Sequence, residues 1–469
     1  KNATDNVTED TVNDFNTYFT DVGPSLAKML PIPNKTLYEL KSLPNSFVIN
    51  NTDIKVIVSK LVIRKAPGHD EVPVRAIKEN IDLIGEVLCN LFNHSLYAGQ
   101  YPSILKIAKV TPVYKEGGRS DPSCYRPISV LSVLNNIFEK IISERMLSFL
   151  NKYHVLCPQQ HGFRPMRSTS TAVLTLSQVL NTALQDNRFA AVVFLDLRKA
   201  FDSVDHDILL YKLRRYSFRN TMSNFFLSYL QGRQQVVVIS NITSSLQSIQ
   251  TGVPQGSVLG PLLYLLYIND LHLVLTTAEM LMYAEDTSLI ITGKNLSDIE
   301  EQMNTELAKL ADWFTANRLT INAKKTKYML FLSRTNPTPH DIQLYINNCS
   351  LECTDSFTYL GVVLDSCLNW QSQIEAVSSK LASSCYVFLQ AREYFDTTIS
   401  RTLYFDLVNC HLLYCVESWG STYDSYLEPI RRLQKRAIRT ITFSPYYEHS
   451  KPLFSKLKIL PFDFLRELN

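Results

Sequence analysis

Two acidic residues between short apolar runs constrain the fold of this chain more than any other feature. The segment Tyr283-Ala284-Glu285-Asp286 lies between the apolar runs 280–282 and 289–291. Two apolar runs that enclose a few polar residues are typical of a β-hairpin. The sequence therefore predicts a hairpin with two carboxylates, those of Glu285 and Asp286, at its tip.

A second apolar segment ends in a carboxylate as well. Residues 190–195 read as a buried strand, and Asp196 follows directly. If the two strand ends meet, three carboxylates come close together, and like charges at that separation need a cation among them to stay ionised. Carboxylates that bridge two divalent ions are the usual apparatus of in-line phosphoryl transfer. Taken singly, either segment is better explained by ordinary surface acids at a solvated turn, and only the combination favours a catalytic site.

A glycine-rich loop lies between these two segments. The chain has 14 glycines in 469 residues, and Gly252, Gly256 and Gly260 fall within nine positions. The apolar run 262–268 follows and predicts a buried helix. Glycine lets a backbone approach a ligand closely, and a helix N-terminus favours phosphate. The loop thus suits nucleotide contact, although in isolation a plain structural loop before a core helix is the favoured interpretation.

The order of these segments resembles motifs A, B and C of reverse transcriptases. The surrounding residues resemble non-LTR retrotransposons of the LINE type, in particular Jockey-like elements. Motif A corresponds to residues 194–204, motif B to 254–257 and motif C to 283–286. The resemblance spans roughly residues 55 to 365. Further matching segments are residues 65–70, 110–115, 125–129, 160–164, 322–326 and 359–361.

The resemblance implies an α+β fold of the right-hand polymerase type, with fingers, an antiparallel-sheet palm and a helical thumb. A chain of this length also exceeds one compact core. We expect residues 1–100 to form a partly helical N-terminal extension. Residues 101–365 would be the reverse transcriptase domain, with fingers and palm, and residues 366–469 a helical, basic thumb and C-terminal region.

Apolar periodicity predicts the local elements of these regions. Helices are expected around residues 81–97, 133–150 and 301–319, and strands near residues 107–114 and 126–131. The segment from residue 370 onward is predicted to be mainly helical.

The resemblance also assigns roles to single residues. Asp196, Glu285 and Asp286 match the metal-binding acids and would hold two Mg²⁺ ions, with Mn²⁺ as an alternative. Phe201 matches the steric gate under the sugar of the incoming nucleotide, and Lys325 is a candidate general acid for pyrophosphate departure. The nucleotide-binding assignments are Lys115, Arg126, Phe201, Gln255 and Gly256, and the template or primer assignments are Arg164, Tyr359, Leu360 and Gly361.

The same resemblance implies the partners of the protein. They are an RNA template, a DNA primer or target DNA, and deoxynucleoside triphosphates, in an intracellular setting that includes nucleus and cytoplasm. No membrane partner is expected, because no apolar run approaches the roughly 20 residues that span a bilayer. The first residue is Lys1, and we interpret the chain as a fragment of a longer reading frame, without an endonuclease module.

Charge is distributed unevenly along the chain. The net charge is only +3, whereas residues 431–469 contain nine Lys or Arg and three acids, which makes that segment +6 and the remainder −3. Clustered positive charge is typical of contact with a phosphate backbone. Without the polymerase context, a solvated helix face explains the cluster equally well.

Several functions remain open at this point. Glu285 departs from the family pattern, since the matching position usually holds an aspartate, which is shorter and suits a closely packed metal site. The leading interpretation is an RNA-directed DNA polymerase. Because of Glu285, the alternative is a decayed or repurposed copy that only binds nucleic acid. An RNA-directed RNA polymerase shares the motif order but needs a polar residue near position 201, where this chain has Phe201. A group II intron maturase is less favoured, since residues 65–70 and 359–361 resemble retrotransposons.

Overall fold

The computed structural model describes residues 7–28, 48–332 and 342–468, and this part of the chain has a mixed α/β architecture. The helices are α1 (Glu9–Lys28), α2 (Asn51–Lys60), α3 (Val74–Glu79), α4 (Ile81–Ala98), α5 (Val133–Lys152), α6 (Thr169–Gln185), α7 (His206–Arg215), α8 (Thr221–Leu230), α9 (Leu259–Ile268), α10 (Leu296–Ala316), α11 (Gln371–Ala391), α12 (Thr397–Tyr404), α13 (Cys410–Leu413), α14 (Val416–Trp419), α15 (Asp424–Ile441), α16 (Ser450–Leu457) and α17 (Phe462–Leu468). The strands are β1 (Ile107–Tyr114), β2 (Tyr125–Val130), β3 (Phe189–Leu195), β4 (Gln234–Ile239), β5 (Ile242–Thr243), β6 (Gln247–Ser248), β7 (Glu279–Tyr283), β8 (Asp286–Gly293), β9 (Lys327–Phe331), β10 (Tyr345–Ile346), β11 (Cys349–Ser350), β12 (Glu352–Cys353), β13 (Ser356–Tyr359) and β14 (Val362–Asp365).

The chain forms two compact units that interleave along the sequence. Among the described residues, unit 1 comprises the segment up to Phe163 together with Asp196–Thr276 and Leu307–Asn322. Unit 2 comprises Arg164–Leu195, Thr277–Glu306 and the segment from Ala323 onward. Each unit has its own sheet and its own apolar core.

The sheet of unit 1 has the strand order β2-β1-β4-β5, and β6 also pairs with β4. β1 is antiparallel to β2 but parallel to β4. Helix α1 covers this sheet, because Val12, Phe15 and Phe19 recur at helical spacing and pack with Val110 and Val237 of the strands. The N-terminal helix is therefore an integral part of the unit 1 core.

A buried glutamate connects three helices of unit 1. Glu139 on α5 is fully buried. Its Oε1 accepts a hydrogen bond from the Tyr229 hydroxyl at 2.9 Å, and its Oε2 accepts from the backbone N–H groups of Val258 and Leu259 at 2.7 and 3.1 Å. The two N–H groups belong to the first turn of α9, where a helix leaves its amides unpaired and favours negative charge. Glu139 thus fixes the start of α9.

The sheet of unit 2 has the order β12-β9-β3-β8-β7, with β3 at its centre. Every residue of β3 is buried, as a continuous apolar run predicts for a strand covered on both faces. β3 pairs antiparallel with β8 and β9, and β7 with β8, whereas the short β12 is parallel to β9. The expectation of an antiparallel sheet therefore holds for four of these five strands.

Helices from the C-terminal part of the chain complete the unit 2 core. Apolar side chains of α6, α11 and α15 form one cluster with those of β3. Trp419, the largest fully buried side chain among the described residues, belongs to this cluster. This region is mainly helical, as its sequence predicts. Within the described residues, no helix is both long and apolar enough to cross a membrane.

The predicted helices and strands are present as helices and strands, and the predicted boundaries are clearly wrong for one helix. The expected strands near 107–114 and 126–131 are β1 and β2, and the expected helices at 81–97 and 133–150 are α4 and α5. The prediction of a helix over 301–319 is wrong at both ends, since α10 spans Leu296–Ala316.

A Schellman motif ends α10 early. Arg318 has a left-handed backbone with φ of +52°. Its N–H donates to Thr315 O at 3.1 Å, and the N–H of Leu319 donates to Phe314 O at 2.9 Å, the pair of bonds that defines this motif. The apolar period continues through Leu319, but the helix stops because Arg318 leaves the helical region of backbone conformation.

We predict that Glu139→Ala destabilises unit 1. The change leaves one buried hydroxyl and two buried amides without their charged acceptor, so the free energy of unfolding should fall by about 3 kcal/mol or more. Glu144→Ala on the same helix is the matched control, because Glu144 is half exposed and its ion pair with Lys140 is long, at 3.7 Å; its effect should stay below about 0.5 kcal/mol. Chemical denaturation measures both. Equal midpoints for the two variants would contradict the capping role of Glu139.

Candidate active site

The predicted hairpin with two acids is present in unit 2. β7 and β8 are antiparallel, their last pair is Tyr283 with Asp286, and the loop consists of Ala284 and Glu285. Ala284 has φ of +53° and is 2% exposed. A positive φ at the first loop position is typical of a type II′ turn, which prefers glycine there. An alanine in this conformation costs on the order of 1 kcal/mol, so the hairpin stores strain next to its two acids.

The pairing register of the central strand β3 shows where Asp196 and Asp286 lie relative to the sheet. In the antiparallel pairing of β3 with β8, the last pair is Leu195 with Thr287. Asp196 directly follows Leu195 in the chain, and Asp286 directly precedes Thr287. The strand that leads into Asp196 and the strand that begins at Asp286 are therefore neighbours in this sheet.

Asp196 is held by a residue that the sequence did not single out. Asn322 donates from its side-chain Nδ2 to Asp196 Oδ2 at 2.9 Å, and from its backbone N–H to Asp196 O at 2.8 Å. A bridge between Leu197 and Ile321 continues this pairing. The segment 322–326 was noticed for its resemblance to a polymerase motif, but nothing in it indicated a contact with Asp196.

The donor chemistry of Asp196, Glu285 and Asp286 fits a hard divalent cation, because all three supply carboxylate oxygens. Within the described residues, no group of three or more His, Cys, Asp or Glu side chains is already arranged as a set of metal ligands. Metal binding by these three residues therefore stays a prediction that rests on their chemistry and their positions in the chain.

Phe201 is fixed by aromatic neighbours in unit 1. Its ring stacks on Tyr264 of α9, with centroids 4.5 Å apart and an interplanar angle of 26°. Phe163 meets it edge-on at 6.4 Å. Stacked and edge-on contacts favour one ring orientation. Phe201 can therefore present a rigid surface, as a sugar-contacting residue requires.

Backbone hydrogen bonds tie the glycine-rich loop to the segment around Phe201. Val253 N–H donates to Phe201 O at 2.9 Å, and Gly252 N–H donates to Val204 O at 2.8 Å. The loop also joins the unit 1 sheet, since Ser129 N–H donates to Gln255 O at 2.6 Å. Gly256 has φ of +114°, and a Cβ there would collide with Ser129 O. The loop before α9 is thus a closely packed part of the candidate site, and Gly256 is required by both its conformation and its packing.

Asp202 is a second residue that sequence analysis missed, although it lies beside Phe201 in motif A. Its Oδ1 accepts a hydrogen bond from Gln255 Nε2 at 2.8 Å. Part of the residue reaches the surface, but Oδ2 is buried and has no hydrogen-bond partner among the described residues. Burial raises the pKa of Asp202 to about 6, against the opposing effects of Gln255 and the nearby Lys199. A strained carboxylate in direct contact with a predicted site residue is a functional-site signal.

Lys115 and Arg126 belong to the β1–β2 hairpin, as predicted. Arg126 pairs with Val113 in the antiparallel register, and Lys115 N–H donates to Cys124 O at 2.9 Å. Both cations act on Lys199, whose pKa is lowered mainly by burial and further by Lys115 and Arg126, although Asp202 opposes this. Three cations therefore lie near one another at this end of unit 1, which suits an anionic ligand.

Tyr359, Leu360 and Gly361, which the resemblance assigns to template or primer contact, lie at the turn of another hairpin in unit 2. β13 and β14 join at Tyr359 and Val362, and the two loop residues, Leu360 and Gly361, both have positive φ, at +46° and +81°. That combination is typical of a type I′ turn. The Tyr414 hydroxyl donates to Leu360 O at 2.5 Å and so supports the turn. Burial raises the pKa of Tyr359, and the carboxylate of Asp286 adds to the effect, so this hairpin lies close to the acidic one.

Two further residues with predicted roles, Lys325 and Arg164, lie outside the contacts described above. Lys325 is exposed, in a turn that precedes β9, and Arg164 is half-buried at the first position of unit 2. Their roles stay predictions.

The basic C-terminal segment is partly neutralised by internal ion pairs. Arg431 contacts Asp424 at 2.6 Å and Asp463 at 2.8 Å, and Arg466 contacts Asp424 at 3.4 Å. Arg432 contacts Glu428 at 3.2 Å. Part of the local excess of positive charge thus serves packing within unit 2 rather than an external partner.

Comparison with known proteins adds a family relation. Residues 113–364 match a family model described as "Reverse transcriptase (RNA-dependent DNA polymerase)". Over 430 residues the chain is 29% identical to the RNA-directed DNA polymerase from mobile element jockey of Drosophila melanogaster, which covers 89% of this chain and 46% of that relative. It is 30% identical over 431 residues to a probable RNA-directed DNA polymerase from transposon BS of the same species, with 87% and 46% covered. The chain spans about half the length of these curated relatives.

We predict that Asp202→Asn stabilises unit 1 at neutral and alkaline pH. The folded-state pKa of Asp202, about 6, lies above its ordinary value of 3.8, so the stabilising effect of its proton is complete below pH 4 and is lost as pH rises through 6. An uncharged asparagine avoids this loss, which is on the order of 3 kcal/mol for a shift of this size. Denaturation midpoints of variant and parent should coincide near pH 4 and separate by pH 8.

The exposed Asp207 provides the control for this prediction. Asp207→Asn removes a carboxylate five residues further along the same segment, so it reports the loss of an exposed carboxylate without the burial of Asp202. A pH-independent difference for Asp202→Asn would show that the buried carboxylate is not strained.

Proposed function

Because the chain belongs to the reverse transcriptase family, among the non-LTR retrotransposons, we propose that it is an RNA-directed DNA polymerase. It extends the 3′-hydroxyl of a primer with deoxynucleotides while it copies an RNA template. The matched segment, residues 113–364, contains both Asp196 and the Glu285-Asp286 pair. The family match does not favour the alternative of a decayed copy that only binds nucleic acid.

One observation carries the proposal. β3, which leads into Asp196, is hydrogen-bonded along its whole length to β8, which begins at Asp286. Such pairing supports the convergence of acids that two-metal nucleotidyl transfer needs. The polymerase arrangement follows from it as part of the proposal: residues 101–365 act as fingers and palm, residues 366–469 as the thumb, and residues 1–100 as an N-terminal extension.

In the proposed reaction the primer 3′-hydroxyl attacks the α-phosphate of the incoming nucleotide, and pyrophosphate leaves. If two Mg²⁺ ions were bound there, they would supply Lewis acidity that would lower the pKa of the hydroxyl and neutralise charge on the phosphates. Asp196, Glu285 and Asp286 are the residues that would hold them, and Asn322 keeps the Asp196 carboxylate oriented. Lys325 would give a proton to the leaving pyrophosphate.

The incoming nucleotide would be bound by residues of unit 1. Lys115 and Arg126, on the β1–β2 hairpin, would contact its triphosphate, as cations bind phosphate oxygens. Phe201 lies under the sugar, where its fixed ring excludes a 2′-hydroxyl. Gln255 and Gly256 would lie along the nucleotide and the template base.

The nucleic-acid partners would be contacted through other segments. Arg164 is proposed to contact the template, and the turn of Tyr359, Leu360 and Gly361 to support the primer end. The unpaired cations of the C-terminal helices would contact the phosphate backbone of the RNA template or of the DNA primer or target.

We predict that Asp196→Asn abolishes primer extension while RNA binding stays nearly intact. Asparagine keeps the shape of the side chain and can still accept from Asn322, but it lacks the charge that a divalent ion needs. Extension of a DNA primer on a defined RNA template, with Mg²⁺ and then Mn²⁺, measures activity, and a filter assay measures binding. The exposed Asp207→Asn variant should extend like the parent. Synthesis by Asp196→Asn close to the parental rate would place the metal site elsewhere.

We predict that Phe201→Val weakens sugar selection. A smaller side chain leaves room for the 2′-hydroxyl, so ribonucleotide incorporation should rise about 10- to 100-fold relative to deoxynucleotides. Phe163→Leu is the control, because it changes a ring that packs against Phe201 at 6.4 Å and leaves the Phe201 side chain itself in place. The measurement is the ratio of kcat/KM for deoxynucleotides to that for ribonucleotides. An unchanged ratio for Phe201→Val would show that Phe201 is not the steric gate.

We predict that Glu285→Asp raises Mg²⁺-dependent activity by at least about tenfold. Mg²⁺ demands near-ideal octahedral ligands, and the extra methylene of Glu285 displaces its carboxylate by about 1 Å in a two-residue loop that leaves little room. Glu279→Asp, at an exposed position of the same hairpin, is the matched control and should change nothing. Equal and substantial rates for parent and Glu285→Asp would mean that the site accommodates glutamate.

A further inference from the structure

Unit 2 contains a cavity of about 550 Å³ that the proposed polymerase reaction does not use. It is surrounded by α6, the residue after β9, the loop after β14 and the segment between α14 and α15. No Asp, Glu, Lys, Arg or His is among the described residues that line it. A cavity of this size with apolar walls and a few polar groups is typical of a small-molecule site. The uncharged lining favours a neutral ligand, because phosphates and carboxylates are bound most strongly by cations.

The cavity lies at the end of the unit 2 sheet opposite to the predicted metal-binding acids. Leu332, which lines it, directly follows Phe331, and Phe331 pairs with Ala190 at the start of β3. Asp196 follows the other end of this strand. Six residues of a strand span about 20 Å. The cavity is therefore distinct from the predicted metal site.

Asp365 holds the loop that forms one wall of the cavity. Its Oδ1 accepts from the N–H groups of Cys367 at 3.2 Å and Asn369 at 2.9 Å. Its Oδ2 accepts from the N–H of Trp370 at 2.7 Å. Leu368 and Trp370, which both line the cavity, have left-handed backbones with φ of +49° and +65°. Such conformations cost free energy outside glycine and cluster at ligand sites. This wall is thus formed before a ligand arrives.

The side-chain amide of Asn369 supplies a hydrogen-bond donor to the lining. Its Oδ1 accepts from Gln371 N–H at 2.9 Å, which orients the amide and leaves Nδ2 as the end that can donate to a ligand. Thr422 Oγ1 donates to Asn369 O at 2.8 Å and so joins the two loops of the cavity. Asn181 of α6 adds a second amide. The lining therefore suits a ligand with carbonyl or ring-nitrogen acceptors.

Tyr423 adds an aromatic surface at the rim. It lines the cavity although it is 65% exposed, so one face of its ring is open to a ligand. Tyr426 meets this ring edge-on, with centroids 5.7 Å apart and an interplanar angle of 90°. Edge-on contact favours one ring orientation. An exposed ring that is held in place beside a cavity is suited to stack on a planar group.

We propose that this cavity binds one unpaired nucleobase of an RNA strand. The choice of a nucleobase rests on the proposed function, in which the chain binds an RNA template. A base is neutral and planar and carries carbonyl or ring-nitrogen acceptors, which match the uncharged lining, the amide of Asn369 and the ring of Tyr423. Proteins commonly recognise single-stranded RNA by splaying a base onto an aromatic side chain. The base in this cavity belongs to a part of the RNA away from the nucleotide that is being copied.

The test uses the four ribonucleosides, which carry the base without a phosphate. Ligand-observed NMR titrations are made on the full chain without divalent ions, template or primer. The parent should bind adenosine and guanosine with a Kd on the order of 1 mM or below, and cytidine and uridine more weakly, because a smaller ring stacks over less area.

Two substitutions separate the stacking contact from the amide contact. Tyr423→Ala removes the ring and should weaken purine binding at least about fivefold, whereas Tyr423→Phe keeps the ring and should bind like the parent. Asn369→Asp can still accept from Gln371 N–H but lacks the Nδ2 donor, so binding should weaken about fivefold. Circular dichroism checks that each variant folds. Should Tyr423→Ala not fold, Asn369→Asp decides.

Tyr394→Ala is the matched control, because Tyr394 is an equally accessible tyrosine of unit 2, 79% exposed, that does not line the cavity. This variant should bind nucleosides like the parent. The proposal is overturned if the parent binds no nucleoside, if Tyr423→Ala and Asn369→Asp bind like the parent, or if Tyr394→Ala weakens binding equally. N-acetyltyrosine amide is titrated as a neutral peptide probe. Binding of this probe that depends on Tyr423, with no binding of nucleosides, would replace the nucleobase by a peptide ligand and overturn the proposal.

Failure of this inference can be told from failure of the proposed function. Primer extension tests the function, whereas nucleoside binding is measured without catalysis. A parent that does not extend primers but binds nucleosides in a manner sensitive to Tyr423 supports the inference alone. A parent that extends primers but whose nucleoside binding is unaffected by Tyr423→Ala and Asn369→Asp retains the function and overturns the inference.

Discussion

The pairing of the buried strand β3 with β8 is the interaction on which the candidate active site depends. All seven residues of β3 are buried, and the strand pairs on both sides, with β8 and with β9. A slip of one residue would turn every β3 side chain to the opposite face of the sheet. Alternate residues of β3, Ala190, Val192 and Phe194, belong to the large core of unit 2. The core therefore fixes the register, and the register determines which residues come next to the acids.

The groups that would do chemistry are held in conformations that ordinary folding rules disfavour. Ala284 occupies a left-handed backbone conformation beside Glu285, and Asp202 keeps a buried oxygen without a partner beside Phe201. Each feature costs free energy locally and persists because surrounding contacts determine it. In unit 1 those contacts are the backbone bonds of Gly252 and Val253 to the segment after Asp196. The disfavoured conformations thus lie beside residues that we predict to take part in the chemistry.

Helix α1 makes the N-terminal segment a structural part of unit 1. The sequence predicts a partly helical N-terminal extension, but Phe15 and Phe19 enter the unit 1 core and Gly23 contacts the backbone of Asp202. The buried Asn16 helps to fix the position of α1 on the unit 1 sheet, since its side chain donates to Ser244 Oγ and Ser245 O at 2.8 Å. The segment before the family match therefore supports the segment that carries Phe201.

Local sequence patterns predicted much of the fold and a large share of the candidate site. The β3 strand, the acidic hairpin, the glycine-rich loop and the buried helix α9 follow from apolar runs, turn residues and spacing, which act over a few residues. The predicted C-terminal end of α10 was wrong, because Arg318 adopts a left-handed backbone conformation that apolar periodicity does not encode. The parallel pairing of β1 with β4 joins segments more than a hundred residues apart, and no local pattern indicates it.

What the sequence by itself determined is the identity and order of the chemical groups: three acids, a ring after the first of them, and a glutamine in a glycine-rich loop. What only the tertiary structure decided is how these groups are oriented. Asn322 meets Asp196 across 126 residues, and Asp202 meets Gln255 across 53. Arg431 and Arg466 are drawn into ion pairs with Asp424 rather than left to a partner. The physical reason is that a side chain's partner depends on which distant backbones pack together, and the packing of two cores, not any short motif, makes that choice.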